Sequence, residues 1–258
     1  FALEQRISCF NVESASELRR IARLAAATDA IAPISIRVNP DVDPNTHPYI
    51  STGLKENKFG VSVEEAMTLY QEATGLDSLK IVGVDCHIGS QITELTPFLD
   101  ALTRVLSLVD ELEAQAITLE HIDLGGGIGV QYRDEVPIEI GDFASAIEQA
   151  MSGRPQSLMF EPGRMIVANA GVLLTTVNTL KGNDQKNFAV VDAAMNDLIR
   201  PALYSAWQEV TPVTLKDDGA SPERHWDIVG PVCETGDFLA KDRMLSLEED
   251  ALLAILSA

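Results

Sequence analysis

Cysteine is scarce in this chain. Cys9, Cys86 and Cys233 lie far apart along 258 residues, and no Cys-x-x-Cys pair occurs. That spacing excludes a disulfide framework and a zinc signature. Positive charge is also short. Lys and Arg total 19 against 39 Asp and Glu, a net charge of −20, which argues against nucleic acid or an anionic membrane as a partner. No apolar run approaches the length needed to cross a bilayer. Residue 1 is Phe and no signal-peptide pattern opens the chain, so a soluble, cytoplasmic protein is expected. No internal repeat or low-complexity segment appears. What remains is 46% hydrophobic, ample for a sizeable core in one large or two medium domains.

The stretch from His121 to Tyr132 organises the rest. An apolar strand end runs into Gly125, Gly126 and Gly127 without a gap. Three glycines can turn the backbone through positive φ and bring N–H groups close to an anion such as a phosphate. The spacing is not the Gly-x-Gly-x-x-Gly dinucleotide fingerprint, because the third glycine is absent counting from Gly125 or Gly127. A plain strand-to-helix turn is the alternative.

Along the chain, strand and helix patterns alternate. Ile7–Val12 reads as a strand, and Ser14 or Ser16 can cap the helix after it, with Glu17 three residues past Ser14 as in a capping box. Ile34–Val38 is a second strand, followed by a polar loop to Gly60 that is long for a plain connector. Ser62–Ala73 reads as a helix, Lys80–Cys86 as a strand delivering His87 and Ser90. Pro97–Ala114 is an amphipathic helix with Leu99, Leu102, Val105, Leu106, Val109 and Leu112 on one face. Leu119–Leu124 is the strand that feeds the glycines. Asp142–Met151 is a helix, and Ser157–Phe160 is a strand delivering Glu161, Pro162, Gly163 and Arg164. Strands alternating with helices imply a parallel sheet. His87, the glycines and Glu161/Arg164 all follow strand ends, the face that carries function in a (β/α)₈ barrel. Such a barrel has eight strands, and only five are visible.

Near residue 170 the texture changes. Val172–Leu180, Asn187–Val191, Trp226–Val229 and Leu252–Leu256 read as short strands with no long amphipathic helix between them. The expected division is an incomplete α/β barrel over 1–169 and a β-rich domain over 170–258. Asp192 and Asp197 read as turn caps, and Arg200 with Tyr204 as at least a surface pair. Should the glycines hold a phosphate, Glu161 is placed to pair with a protonated ring nitrogen, and His87 to stack on a ring face. Arg164 can then reach the phosphate or a substrate carboxylate. Pyridoxal phosphate combines those needs with an aldehyde that takes a lysine. Each residue also has a plain structural reading: His87 as a packed loop residue, Glu161–Arg164 as a turn, Cys233 as a buried apolar residue.

Five stretches together are specific: Asp85–Gln91, Asp123–Gly129, Glu161–Arg164, Asn196–Tyr204 and Gly230–Phe238. With them go the His47–Gly53 loop and Lys58-Phe59-Gly60. They resemble the diaminopimelate decarboxylase family, pyridoxal-phosphate enzymes of the alanine-racemase/ornithine-decarboxylase fold type. The resemblance covers essentially the whole chain and implies a (β/α)₈ barrel plus a C-terminal β domain. It further implies that His87 stacks on the pyridoxal ring and that Ser90 and Gly125–Gly127 bind the phosphate. Glu161 would pair with the ring nitrogen, with Arg164 near phosphate or substrate. Arg200, Tyr204 and Glu234 would grip the far end of an amino-acid substrate. Cys233 would donate a proton across the interface of a homodimer with shared active sites.

The family's Schiff-base lysine follows its first barrel strand, and none of the seven lysines here fits that place. A Gly-Ala-Tyr segment that the family carries further on is not present either. The resemblance therefore implies a fragment lacking both ends, unable by itself to form the lysine–cofactor link. Two other readings stand beside diaminopimelate decarboxylation. One is a related decarboxylase acting on ornithine, arginine or carboxynorspermidine, disfavoured by Cys233-Glu234 and Arg200. The other is a non-catalytic relative that carries pyridoxal phosphate or regulates an enzyme partner, disfavoured by the β domain and by the intact Cys233 and Glu161.

Overall fold

A computed structural model describes residues 1–42, 58–214 and 222–258. The His47–Gly53 loop lies outside the described residues. The described chain divides into two compact units, Phe1–Gly129 with Pro137–Arg164, and Val130–Val136 with Met165–Ala258.

The first unit alternates strands and helices: β1 (Phe10–Val12), α1 (Ala15–Ala27), β2 (Ala32–Arg37), α2 (Val63–Thr74), β3 (Leu79–Asp85), α3 (Thr96–Glu113), β4 (His121–Asp123), α4 (Ile140–Ala150) and β5 (Ser157–Met159). The five strands form one parallel sheet in sequence order. Its central strands β2, β3 and β4 are mostly buried, with Ile34, Ile36, Val84 and Ile122 fully so, while the edge strands β1 and β5 are partly exposed. The helices lie over them through Leu18, Leu69, Leu102, Val109 and Ile147.

Two expectations need correction. The first strand begins at Phe10 rather than Ile7, because the segment before it coils on itself, with Gln5 N–H bonded to the Phe1 carbonyl and Arg6 at φ 52°. On α3 the buried face is centred on Phe98, Ala101, Leu102, Val105, Leu108, Val109 and Leu112. Leu99 and Leu106 sit only partly buried at its edge.

The Ser14 cap forms as expected, its Oγ accepting from Glu17 N–H at 3.2 Å. Glu17 reaches back one residue further than a simple capping box, to the Glu13 N–H at 2.8 Å.

The short α5 (Arg164–Val167) precedes the second unit's strands. These are β6 (Val172–Gly182), β7 (Asn187–Val191), β8 (Val210–Pro212), β9 (Arg224–Val229), β10 (Phe238–Leu245) and β11 (Leu252–Leu256), with α6 (Arg200–Tyr204) between β7 and β8. The sheet order is β10-β9-β7-β6-β11-β8, antiparallel except for the β7–β9 pair. Its core is Val177, Val191, Trp226, Ile228, Leu239, Leu253 and Ile255. β8 and β10 are additions to the sequence reading. In β10 the run Lys241-Asp242-Arg243 hides the strand, since a bulge with Asp242 at φ 55° shifts the register there.

Candidate active site

In the first unit, register does most of the positioning. Asp85 at the end of β3 pairs with Asp123 at the end of β4, which pairs with Met159 at the end of β5. The residues that follow therefore emerge side by side: His87, Gly125–Gly127, and Glu161–Arg164.

The three glycines are required by close packing. A Cβ on Gly126 would meet the Glu161 carbonyl oxygen at 2.3 Å, and one on Gly127 would meet the Gly89 carbonyl oxygen at 2.3 Å. Gly125 and Gly127 also take φ of 66° and 114°. Their N–H groups are not equivalent. Gly125 N–H donates to Asp123 Oδ1 at 2.8 Å and Gly126 N–H to His87 Nδ1 at 3.3 Å. Gly127 N–H donates to no described residue. So two of the three expected phosphate donors are spent holding neighbouring side chains, and Gly127 remains.

Beside it, Ser90 Oγ accepts from Arg164 Nε at 3.3 Å and Nη2 at 3.1 Å. A backbone N–H, a hydroxyl and a guanidinium make a donor set suited to a phosphate. Gly163 is open, with nothing within 4 Å of a Cβ placed there. These residues fit the phosphate end of pyridoxal phosphate.

His87 is partly buried, and its pKa is lowered by that burial and by the positive charge of Arg37. It is thus a neutral imidazole whose Nδ1 accepts, which fixes the ring's orientation. Glu161 is exposed, and its N–H bonds to the Gly125 carbonyl at 2.8 Å. Its carboxyl pKa is raised by desolvation and then by Asp123.

The sequence reading gave no role to Asp85 or Asp123. Yet oxygens of Asp85, Asp123 and Glu161 all lie within 4.8 Å of one another. Two carboxylates at that separation repel by about 3 kcal/mol at an effective dielectric of roughly 20. The nearby cation is Arg37 of β2. Its Nη1 donates to Glu13 Oε1 at 2.8 Å, and its Nε stands 3.8 Å from Asp85 Oδ2. The other Glu13 oxygen accepts from Gly60 N–H at 3.0 Å. Burial, with Asp123 second, pushes the Asp85 carboxyl up to about 7. A sequence signal existed: each of these aspartates lies between two apolar residues at the end of its strand, Asp85 between Val84 and Cys86 and Asp123 between Ile122 and Leu124.

The second unit carries the other candidates. Arg200 opens α6, with its guanidinium 4.4 Å from the centre of the Tyr132 ring. Tyr204 closes the same helix, and Ser205 ends it in the left-handed region at φ 52°. Cys233 is exposed, which removes its reading as a buried apolar residue. Glu234 lies beside it and accepts from Gly236 N–H at 3.2 Å. The loop holding both is pinned by Asp237, 3% exposed. Asp237 Oδ1 accepts from Met195 N–H at 2.7 Å and Oδ2 from Val232 N–H at 2.9 Å. Asp192 and Asp197 serve as caps, Asp192 Oδ1 accepting from Thr175 Oγ1 at 2.6 Å and Asp197 Oδ2 from Ala194 N–H at 2.9 Å.

Among the described lysines, Lys80 pairs with Glu120 at 2.7 Å, Lys186 pairs with Asp227, and Lys58 lies over the Phe59 ring at 4.8 Å. No described helix is long and apolar enough to cross a membrane.

Fold and site together define an α/β protein with an anion cradle and an acidic floor at the carboxyl ends of parallel strands. The chain belongs to the pyridoxal-dependent decarboxylases, whose pyridoxal binding domain matches residues 1–168. It is 61% identical over 257 residues to a diaminopimelate decarboxylase of Pseudomonas aeruginosa, and 53% identical over 258 residues to that of Vibrio cholerae. Each alignment takes in 100% of this chain and 61% of the relative, so the chain spans about three fifths of their length. A solved diaminopimelate decarboxylase from Helicobacter pylori, complexed with L-lysine, superposes with a TM-score of 0.93 at 43% identity, covering 99% of this chain and 64% of that one. The enzyme from M. jannaschii, also with L-lysine, gives 0.89 at 38% identity, covering 98% and 60%. The fold expected from sequence, part of a (β/α)₈ barrel followed by a β domain, stands.

Proposed function

We propose that the whole protein is a pyridoxal-phosphate-dependent decarboxylase that converts meso-2,6-diaminopimelate to L-lysine and carbon dioxide, the last step of lysine biosynthesis. One observation carries the reading. A single turn after β5 presents Glu161, suited to a ring nitrogen, and Arg164 joined to Ser90 beside Gly127, suited to a phosphate. The relatives' names and the L-lysine in the solved structures supply the substrate.

Under this reading Gly127, Ser90, Gly163 and Arg164 hold the phosphate end, with Pro162 fixing the turn between them. Gly125 and Gly126 act indirectly, by fixing Asp123 and His87. His87 offers a flat, uncharged face to the ring, and a neutral imidazole does not repel a protonated pyridine. Glu161 holds the proton on the ring nitrogen. When bound, the cofactor supplies an electron sink for the pair freed as carbon dioxide leaves. Arg200 and Tyr204 bind the end of the substrate that does not react, where a second carboxylate suits a guanidinium, and Glu234 takes the amino group there. Cys233 gives a proton to the carbon that has lost carbon dioxide, acting as a general acid. A homodimer with shared active sites and a cytoplasmic location belong to the same proposal.

The test is carbon dioxide release by the full-length protein with pyridoxal phosphate. Diaminopimelate, ornithine, arginine and lysine are supplied in parallel. Release from diaminopimelate alone is expected. Release from another amino acid would move Arg200 and Glu234 to a different task, and no release despite bound cofactor would end the enzymatic reading. Mixing the impaired Cys233→Ala and Glu161→Gln proteins tests the shared site. Partial recovery of activity is expected, because a hybrid dimer with one chain of each kind keeps one intact site.

A further inference from the structure

We propose that Asp85 is a positioning residue of this site: as a neutral acid it keeps the proton of the three-carboxyl cluster, so that Glu161 remains a carboxylate. The inference rests on the reading of Glu161 as the partner of a protonated ring nitrogen, and it deepens that reading.

The argument is one of charge and donors. Among the described residues, four carboxyl groups, Glu13, Asp85, Asp123 and Glu161, share the guanidinium of Arg37. His87 adds no charge, and Cys9, Cys86 and the buried Tyr70 hydroxyl, the other described titratable groups around the cluster, are all held protonated by burial. Groups this close titrate together, so the cluster holds one proton to a pH above the ordinary carboxyl range.

The donors decide where it stays. Glu13 takes two hydrogen bonds, from Arg37 and from Gly60 N–H. Asp123 takes the Gly125 N–H at 2.8 Å. Glu161 is exposed, where water stabilises its charge. Asp85 is 3% exposed, and no described N–H or O–H donates to its carboxyl. Arg37 Nε is buried, makes no hydrogen bond and stops 3.8 Å from Asp85, too far to serve as its donor. Asp85 is therefore the member whose anion is least compensated. Its acid O–H has the Asp123 and Glu161 oxygens to turn to, directly or through one water.

The consequence concerns Glu161. Were Asp85 ionised, its charge, within 4.8 Å of Glu161, would favour protonation of Glu161, and a neutral Glu161 cannot hold a proton on a ring nitrogen. With the proton kept beneath it, Glu161 stays an anion over the working range.

Infrared spectra of the full-length apoprotein, taken from about pH 6 to about pH 9, isolate carboxyls that titrate above the ordinary range. A protonated-carboxyl band that fades as pH rises is expected. Labelling aspartate carboxyls with carbon-13 should shift that band, and labelling glutamate should not. The band should vanish in Asp85→Asn and persist in Glu161→Gln. No such band, a band that moves with glutamate labelling, or a band that survives Asp85→Asn overturns the proposal. The labelling arm uses the wild type, so it decides the matter even if a variant fails to fold.

Binding of pyridoxal phosphate by the same proteins separates the two ideas. Asp85→Asn mimics the neutral acid and should bind within about twofold of wild type near pH 7, whereas Glu161→Gln should bind at least tenfold more weakly, since one charged partner is lost. An Asp85→Asn loss as large as that of Glu161→Gln would mean that Asp85 acts as an anion, and would overturn the proposal. A band on Asp85 with unweakened binding by Glu161→Gln would instead remove Glu161 from the cofactor and leave the proton where it is assigned.

Discussion

Glu161 and Cys233 both sit exposed on loops that follow strands, and both are candidates for moving or holding a proton. They are held in different ways. Glu161 belongs to the parallel unit, where its N–H is bonded to Gly125 and its turn packs against the glycines at van der Waals limits. Gly126 and Gly127 there have no room for a side chain. Cys233 belongs to the β unit, on a loop fixed by one buried carboxylate, Asp237, and its two backbone donors. One unit positions its groups by backbone register, the other by a side-chain strut. Register tolerates side-chain changes and fails when the backbone is pushed. A strut fails when one side chain is removed.

The largest effect should therefore come from a methyl group. Gly126→Ala places a carbon 2.3 Å from the Glu161 carbonyl oxygen, where only the backbone can give way. A loss of about 3 kcal/mol or more is expected from such overpacking. Gly163→Ala, on the same turn but with nothing within 4 Å, should stay within about 0.5 kcal/mol of wild type. Denaturant unfolding of the full-length protein reads both. Equal losses would show that the cradle is not held by backbone contact.

Next comes the strut. Asp237→Ala leaves the Met195 and Val232 N–H groups without their acceptor, at a cost of about 2 kcal/mol. It should slow turnover as well, because the Cys233 loop loses its anchor. Cys233→Ala should slow turnover with stability changed by less than about 0.5 kcal/mol, since the thiol is exposed. Under either substitution, cofactor affinity should stay near that of wild type. A stable, fully active Asp237→Ala protein would dissolve the contrast between the units.

The same contrast explains what the sequence revealed. Alternating strand and helix patterns exposed the parallel unit, because a strand buried on both faces reads as an unbroken apolar run and its helices as 3.6-residue stripes. His87, Gly125–Gly127 and Glu161–Arg164 stood out because each follows such a run. Asp85 and Asp123 were overlooked as the last residues of their strands. Their meaning lies in cross-strand register, which connects positions 38 residues apart and which single-chain periodicity does not encode. The glycine N–H partners were also illegible: the run implies an anion nest, while packing spends two of its three donors on Asp123 and His87. In the β unit, β10 was missed because its charged centre breaks the alternation that marks a strand. Asp237 lies in the recognisable Gly230–Phe238 stretch, but its role is not legible there, since a strut is recognisable only once both loops that it joins are in place.

The smallest expected effect concerns the entrance to the parallel unit. Ser14 caps α1 through Glu17 N–H, and Glu17 answers by holding Glu13 N–H. Glu13 in turn carries Arg37 and Gly60. The cap is thus the outer end of the chain of contacts that reaches Asp85. Ser14→Ala should cost about 1 kcal/mol, the usual value for losing such a cap, and Ser14→Gly only a few tenths. If Glu13 is held by the backbone, as the rest of this unit is, the loss should stop at the helix. The Asp85 carboxyl band would then titrate at the wild-type pH. A shift of that band in Ser14→Ala would mean that the parallel unit also depends on a side-chain strut, and the distinction between the two units would narrow.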